Sequence, residues 1–109
     1  MENAEYLVVL STCPNEEVAG SLAEALVKQN LAACVNIIAG VKSVYKWEGK
    51  LENSSEVLLL IKTRREVYCQ LETTVKELHP YELPEIIAVP IDQGLPQYLG
   101  WIDQEVGSL

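Results

Sequence analysis

The sequence is poor in the residues that most often build metal, redox and catalytic sites. Its 109 residues include a single histidine and three cysteines, and no two cysteines form a CxxC pair. An odd number of scattered thiols argues against a disulfide framework and against a zinc knuckle, so reduced thiols are expected. The sequence also offers no Ser-His-Asp set, glycine-rich phosphate loop or dense carboxylate cluster. Catalysis is therefore not the leading expectation.

Basic residues are scarce as well, with eight against sixteen acidic ones and a net charge of −8. Binding to phosphate backbones depends on clustered Lys and Arg, so a nucleic-acid partner is not expected. No apolar run, for example Val57 to Ile61, approaches the ~20 residues of a membrane-crossing helix, so no membrane association is expected. The acidic start Met-Glu-Asn-Ala-Glu lacks the basic region of a signal peptide. The predicted location is the cytoplasm.

What the sequence does contain is a repeated order of strand, helix and strand. Compact apolar runs predict strands, and apolar residues at helical spacing predict helices. The strands are expected over 6–12, from 33 to 41, over 56–63 and over 86–91, with helices after residues 15 and 63 and over 95–106. The length fits one domain over residues 1–109. The order βαββαβ plus a helix predicts an α+β, ferredoxin-like sandwich, with a long hairpin between the second and third strands.

Local signals place the ends of these elements. Asn15 is a candidate helix cap, and Thr63-Arg64-Arg65-Glu66 fits a capping box. Gly40 indicates a bulge, and Trp47-Glu48-Gly49-Lys50 is a hairpin signal. In the second helix, Val67, Leu71, Val75 and Leu78 are expected to face the sheet. Cys13 precedes the first helix, whose N-terminus should favour its thiolate, but an inert thiol is the leading expectation for this residue.

The segment from His79 to Glu85 is the leading candidate for a functional site. It follows the second helix, and its prolines at 80 and 84 predict a shaped, extended loop. It carries the only histidine, His79, together with Tyr81 and Glu85. Lys62 ends the third strand, where its ammonium group could hold an anion. These four residues are the candidate ligand-binding set.

Three segments resemble the CutA family of divalent-cation tolerance proteins. They are Ala33-Cys34-Val35-Asn36, Tyr45-Lys46-Trp47-Glu48-Gly49-Lys50 and His79 to Glu85, within a match from Val8 to about Trp101. The resemblance implies a compact homotrimer, like that of PII signalling proteins, in which hairpins and edge strands pair between subunits. Open sheet edges favour self-association independently. Tyr45, Trp47 and Glu48 are then expected at the interface, and Lys62, His79, Tyr81 and Glu85 around a cleft between subunits.

The same resemblance implies a copper site that this chain carries only in part. Copper binding by bacterial members resembles a site of one cysteine at the end of the first strand and two adjacent histidines before the Pro-Tyr motif. Here Ser11 and Leu78 stand at two of these positions, which leaves His79, with Cys13 as a candidate substitute. No cofactor is obligatory, and we expect Cu(II) binding to be weak and to depend on His79.

Three functions follow from these observations. The leading hypothesis is a CutA-like trimeric protein linked to divalent-cation tolerance. The second is a PII-like sensor that binds a small anionic metabolite through Lys62, His79 and Tyr81. The third is an enzyme that uses His79 and Glu85 for acid–base chemistry.

Overall fold

The computed structural model describes residues 5–107 as a mixed α+β fold of four strands and three helices. Met1 to Ala4, on which the expectation about a signal peptide rests, lie outside this range. None of the helices within it is long and apolar enough to cross a membrane. A short 3-10 turn, Arg65–Val67, precedes the second helix. The elements in chain order are β1 (Tyr6–Cys13), α1 (Glu16–Lys28), β2 (Cys34–Trp47), β3 (Lys50–Arg64), α2 (Tyr68–Leu78), β4 (Ile87–Pro90) and α3 (Pro96–Glu105).

The strands form one sheet in the order β2-β3-β1-β4, and every neighbouring pair is antiparallel. One face of this sheet packs against α1 and α2. Alternate residues of the two central strands, among them Val9, Leu59 and Ile61, are completely buried on that face with Leu22 and Leu71 of the helices. This alternation is the two-residue period of a strand with one covered face. The core therefore lies between the sheet and the two helices.

The opposite face of the sheet is only partly covered in the single chain. Leu10 lies opposite Leu60 of β3 and Ile87 of β4 on this face. The two leucines are half-buried, whereas Ile87 and its neighbour Val89 are about half exposed. An apolar sheet face and an apolar edge strand are thus left open to solvent.

The hairpin formed by β2 and β3 is long and has the two irregularities that its glycines predict. Gly40 has a φ of 83°, and the pairing register shifts between Ile38 and Val41. At the tip, Glu48 and Gly49 have φ values of 52° and 82°. A type I′ turn requires positive φ at both central residues, so a two-residue turn closes the hairpin. The predicted bulge and the predicted hairpin turn are both confirmed.

The two predicted helix caps have different outcomes. Asn15 caps α1 as expected, because its side-chain oxygen accepts a 2.8 Å hydrogen bond from the Val18 backbone N–H. The capping box at Thr63 is wrong. Thr63 belongs to β3, and its hydroxyl donates a 2.7 Å hydrogen bond to the Leu31 carbonyl, while Glu66 forms an ion pair with Arg64. The strand therefore continues through the proposed cap, and α2 begins five residues later, at Tyr68.

The end of α2 also differs from the prediction. Leu78 was expected to face the sheet, but its side chain is 51% exposed, and His79 is 7% exposed. Both positions follow Val75 by about one helical turn, so spacing alone does not choose between them. The polar residue is buried because two backbone groups satisfy its ring nitrogens. As predicted, the helix ends before Pro80.

Candidate functional site

His79, at the C-terminal end of α2, is held by hydrogen bonds at both ring nitrogens. Nε2 lies 2.7 Å from the Thr12 carbonyl oxygen, and the Tyr81 backbone N–H donates to Nδ1 at 3.1 Å. A carbonyl oxygen only accepts and a backbone N–H only donates. The geometry therefore assigns a neutral imidazole with its proton on Nε2.

The Thr12 carbonyl needs this partner because of where β4 ends. The pairing between β1 and β4 stops at Leu10, opposite Ile87, so Thr12 lies two residues beyond the last paired position. A buried carbonyl that lacks a partner costs free energy comparable to a lost hydrogen bond. The imidazole satisfies the carbonyl at a point that the short edge strand does not reach.

Tyr81 extends this arrangement to the third strand. Its ring lies 4.7 Å from the His79 ring, centroid to centroid, and its hydroxyl donates a 2.7 Å hydrogen bond to Oε2 of Glu56. The Glu56 side chain is buried, in the β3 position that pairs with Val41 just after the bulge. Burial, and then the hydrogen bond to Glu56, raises the pKa of Tyr81 above its ordinary value. The phenol therefore remains a protonated hydrogen-bond donor and is not suited to act as a base.

Cys13 lies beside this group but is not a reactive thiol. The residue is completely buried in the core. Burial, and to a smaller extent the charge of Glu56, raises the pKa of its thiol to about 11. The expectation that the N-terminus of α1 favours the thiolate is therefore wrong, because burial dominates at this position.

Lys62 does not join His79 and Tyr81 within one chain. Its ammonium group contacts the side-chain oxygen of Asn36 and lies 4.0 Å from the sulfur of Cys34. Lys62 pairs with Val8 of β1, whereas Thr12 pairs with Leu58, four residues away along β3. Four residues of extended strand span about 13 Å. A cleft that includes Lys62 thus requires residues from more than one subunit, and it remains a prediction.

The other sequence candidates are exposed in the single chain. Glu85 lies on the surface of the loop between α2 and β4. Trp47 and Glu48 lie at the tip of the hairpin, and the Tyr45 hydroxyl is 2.8 Å from the Ser54 hydroxyl. Their expected place at a subunit interface also remains a prediction.

The side chains around His79 do not fit a resident copper ion. Among residues 5–107, no group of three or more His, Cys, Asp or Glu side chains is placed to hold a metal ion. Both nitrogens of His79 are already hydrogen-bonded, and Cys13 keeps its proton. Ser11 contributes only a buried hydroxyl. Copper sites need several deprotonated donors that converge on one point, and these residues do not supply them.

Sequence reasoning missed Glu56, and it did not single out the Thr12 carbonyl as the partner of His79. Glu56 was taken only as the first residue of an apolar strand. A carboxylate next to a buried apolar run must have a partner or reach solvent, which is a usable signal for a buried polar contact. The role of Thr12 depends on where β4 ends, and no local pattern encodes that.

Comparison with known proteins places this geometry in a family context. The family model of the CutA1 divalent ion tolerance protein matches residues 7–105. The divalent-cation tolerance protein CutA of Thermus thermophilus is 49% identical over 100 residues, which cover 92% of this chain and 97% of that protein. The mouse protein CutA is 49% identical over 98 residues, covering 90% of this chain and 55% of the mouse protein. The chain thus spans about half the length of that mammalian relative.

A solved structure agrees in backbone as well as in sequence. The divalent cation tolerance protein from Thermus thermophilus superposes with a TM-score of 0.92 at 48% sequence identity. The superposition covers 94% of this chain and 99% of that one. The agreement includes the four-stranded antiparallel sheet and the three helices.

Proposed function

The chain belongs to the CutA1 divalent ion tolerance protein family, and from this membership we propose that it acts in tolerance to divalent metal ions as a cytoplasmic homotrimer. The proposal treats residues 1–109 as one domain with the ferredoxin-like βαββαβ topology and a PII-like trimeric arrangement. Cu(II) binding is at most weak, because the donors near His79 do not form a metal site. The resemblance of three sequence segments to this family is confirmed by the family match.

The main support for a trimer is the apolar surface that is exposed in the single chain. It lies on edge strands, where the sheet of a neighbouring subunit can cover it. Ile37 and Ile38 of the edge strand β2 are exposed, as are Ile87 and Val89 of the opposite edge strand β4. Edge strands with free main-chain groups and apolar side chains associate unless they are covered. Pairing between copies of the chain satisfies both requirements at once.

The projecting hairpin supports the same arrangement. Val44 and Leu51, beyond the bulge at Gly40, are 64% and 69% exposed. Tyr45 and Trp47 are exposed on the other face of the hairpin. A two-stranded hairpin is marginally stable by itself in water. Its apolar side chains are therefore expected to pack against a neighbouring subunit, with Tyr45, Trp47 and Glu48 at the contact.

Light scattering at micromolar concentration tests the assembly. The expected mass is three times the 12.1 kDa of the chain. Replacing Trp47, which is 40% exposed on the hairpin, by serine should weaken the trimer. Replacing Val27, which is 42% exposed on α1, by serine is the matched control and should leave the mass unchanged. A monomer mass for the unaltered chain would show the proposed assembly to be wrong.

Analysis of the metals and small molecules that remain bound to the purified native protein tests the link to metal ions. Elemental analysis should find no stoichiometric copper, and native mass spectrometry should find no retained anionic metabolite. A retained metabolite would instead favour the sensor hypothesis, which needs Lys62 of one subunit to approach His79 and Tyr81 of another. A strain that lacks its own family member should regain tolerance to added divalent metal salts when this chain is expressed.

A further inference from the structure

We infer that His79 is a hydrogen-bonding hub that fixes the loop over residues 79–86 to the sheet, and that this chain does not carry the copper site that its family resemblance implies. The inference concerns contacts inside one chain. It can therefore be tested independently of the proposed homotrimer.

The first step concerns the lone pairs of the imidazole. Cu(II) binds a histidine through a ring nitrogen that carries no proton and accepts no other hydrogen bond. Nε2 of His79 carries the proton that is donated to the Thr12 carbonyl, and Nδ1 accepts from the Tyr81 N–H. A metal ion at either nitrogen must break one of these buried contacts. Both ring nitrogens of His79 are therefore occupied by hydrogen bonds within the fold.

The second step concerns the donors that would have to join it. Cys13 is completely buried in the hydrophobic core, among apolar side chains. The Glu56 carboxylate is buried and accepts the hydrogen bond of the Tyr81 phenol. Binding a metal ion here would require releasing protons from buried groups as well as breaking hydrogen bonds. The His79 ring, the Tyr81 phenol and the Glu56 carboxylate are thus already engaged in hydrogen bonds.

The third step is what these contacts do instead. His79 connects the end of α2 to β1 through Thr12, and through Tyr81 the loop reaches Glu56 of β3. Glu56 pairs with Val41, the first β2 residue after the register shift. The hub thus ties the loop to both central strands at the base of the hairpin. Removing it should loosen the loop and the hairpin base together.

Two conservative variants separate the two nitrogens. In the variant His79→Asn, the side-chain oxygen can replace Nδ1 as acceptor of the Tyr81 N–H. In the variant His79→Gln, the side-chain amide can replace Nε2 as donor to the Thr12 carbonyl. Neither variant retains an imidazole. Glu85→Gln, at an exposed position of the same loop, is the matched control.

Cu(II) titration by calorimetry, on a chain without a histidine tag, tests the missing site. The isotherms of the unaltered chain, both His79 variants and Glu85→Gln should coincide. Since the chain has one histidine, pulsed electron paramagnetic resonance of the unaltered protein with Cu(II) gives an independent answer that needs no variant to fold. No imidazole nitrogen modulation is expected. A clear imidazole signal, or Cu(II) binding lost in both His79 variants, would overturn the inference.

Hydrogen exchange and thermal unfolding test the hub. Both His79 variants should exchange faster at the backbone amides of the loop and at Glu56, and Glu85→Gln should not. A fall in melting temperature of about 4–8 °C is expected for each, as when a domain of this size loses one buried hydrogen bond. Unchanged exchange and melting in both variants would contradict the hub.

Discussion

Raising the pH is expected to destabilise the fold through one buried thiol, that of Cys13. Its pKa rises from an ordinary value of 9.0 to about 11 in the folded chain, chiefly through burial and further through the charge of Glu56. Because folding raises this pKa, the contribution to stability is complete below pH 9.0 and is lost as the pH approaches about 11. Two pKa units correspond to roughly 2–3 kcal/mol of unfolding free energy.

Urea unfolding, followed by circular dichroism at a fixed protein concentration, measures this contribution across the pH range. Cys13→Ala should be less stable than the unaltered chain at neutral pH, because a buried side chain has been shortened. The difference should then shrink by roughly 2–3 kcal/mol between pH 9 and pH 11, since only the unaltered chain loses the thiol term. Side chains other than Cys13 are present in both proteins, so their contributions cancel in the difference.

Cys69, which is exposed on α2, provides the matched control. Removing it as Cys69→Ala should leave the pH profile parallel to that of the unaltered chain. If the Cys13→Ala profile were also parallel throughout, the thiol would not be held protonated by the fold, and the argument from burial would fail.

Two further changes test buried hydrogen bonds by urea unfolding at neutral pH. Tyr81→Phe keeps the ring but removes the donor to Glu56, so the buried carboxylate should lose its partner at a cost of about 1–3 kcal/mol. An equally stable variant would show that water replaces the phenol. Thr63→Val keeps the side-chain shape but removes the hydrogen bond to the Leu31 carbonyl, and a loss of about 1–3 kcal/mol is expected. An unchanged unfolding midpoint would mean that this carbonyl finds another partner.

The elements that sequence reasoning placed correctly are those whose signals are local. The positive φ values at Gly40 and Gly49 follow from residues that adopt such angles at low cost. The Asn15 cap depends on a contact three residues away. The failure at Thr63 has the opposite origin. Its four-residue pattern matched a capping box, but β3 continues through it because Tyr6 to Cys13 supply a strand partner along its length. Long-range pairing overrode a local motif.

For the candidate site, sequence reasoning named a segment but not the contacts that its side chains make. His79 and Tyr81 lie two residues apart and do meet, as a short loop makes natural. Glu56 and Thr12 join them from positions 25 and 67 residues away in the sequence. Lys62 was grouped with them because an ammonium group at the end of the predicted third strand could hold an anion, but in the sheet Lys62 pairs with Val8 and Cys34. The strand register determines that Lys62 lies away from His79 and Tyr81, and this register cannot be read from the amino-acid composition.

The composition of β3 gives a further argument for assembly. Strands that are covered on one face alternate apolar with polar residues, whereas strands covered on both faces are continuously apolar. Val57 to Ile61 is continuously apolar, yet in the single chain only Val57, Leu59 and Ile61 are buried against the helices. Leu58 and Leu60 face the open side and are half-buried. The strand thus has the composition of one that is covered on both faces, whereas within one chain only the face toward the helices is covered. A neighbouring copy of the same sheet would supply the second side, which is why the proposed homotrimer accounts for a sequence pattern that the isolated fold leaves unexplained.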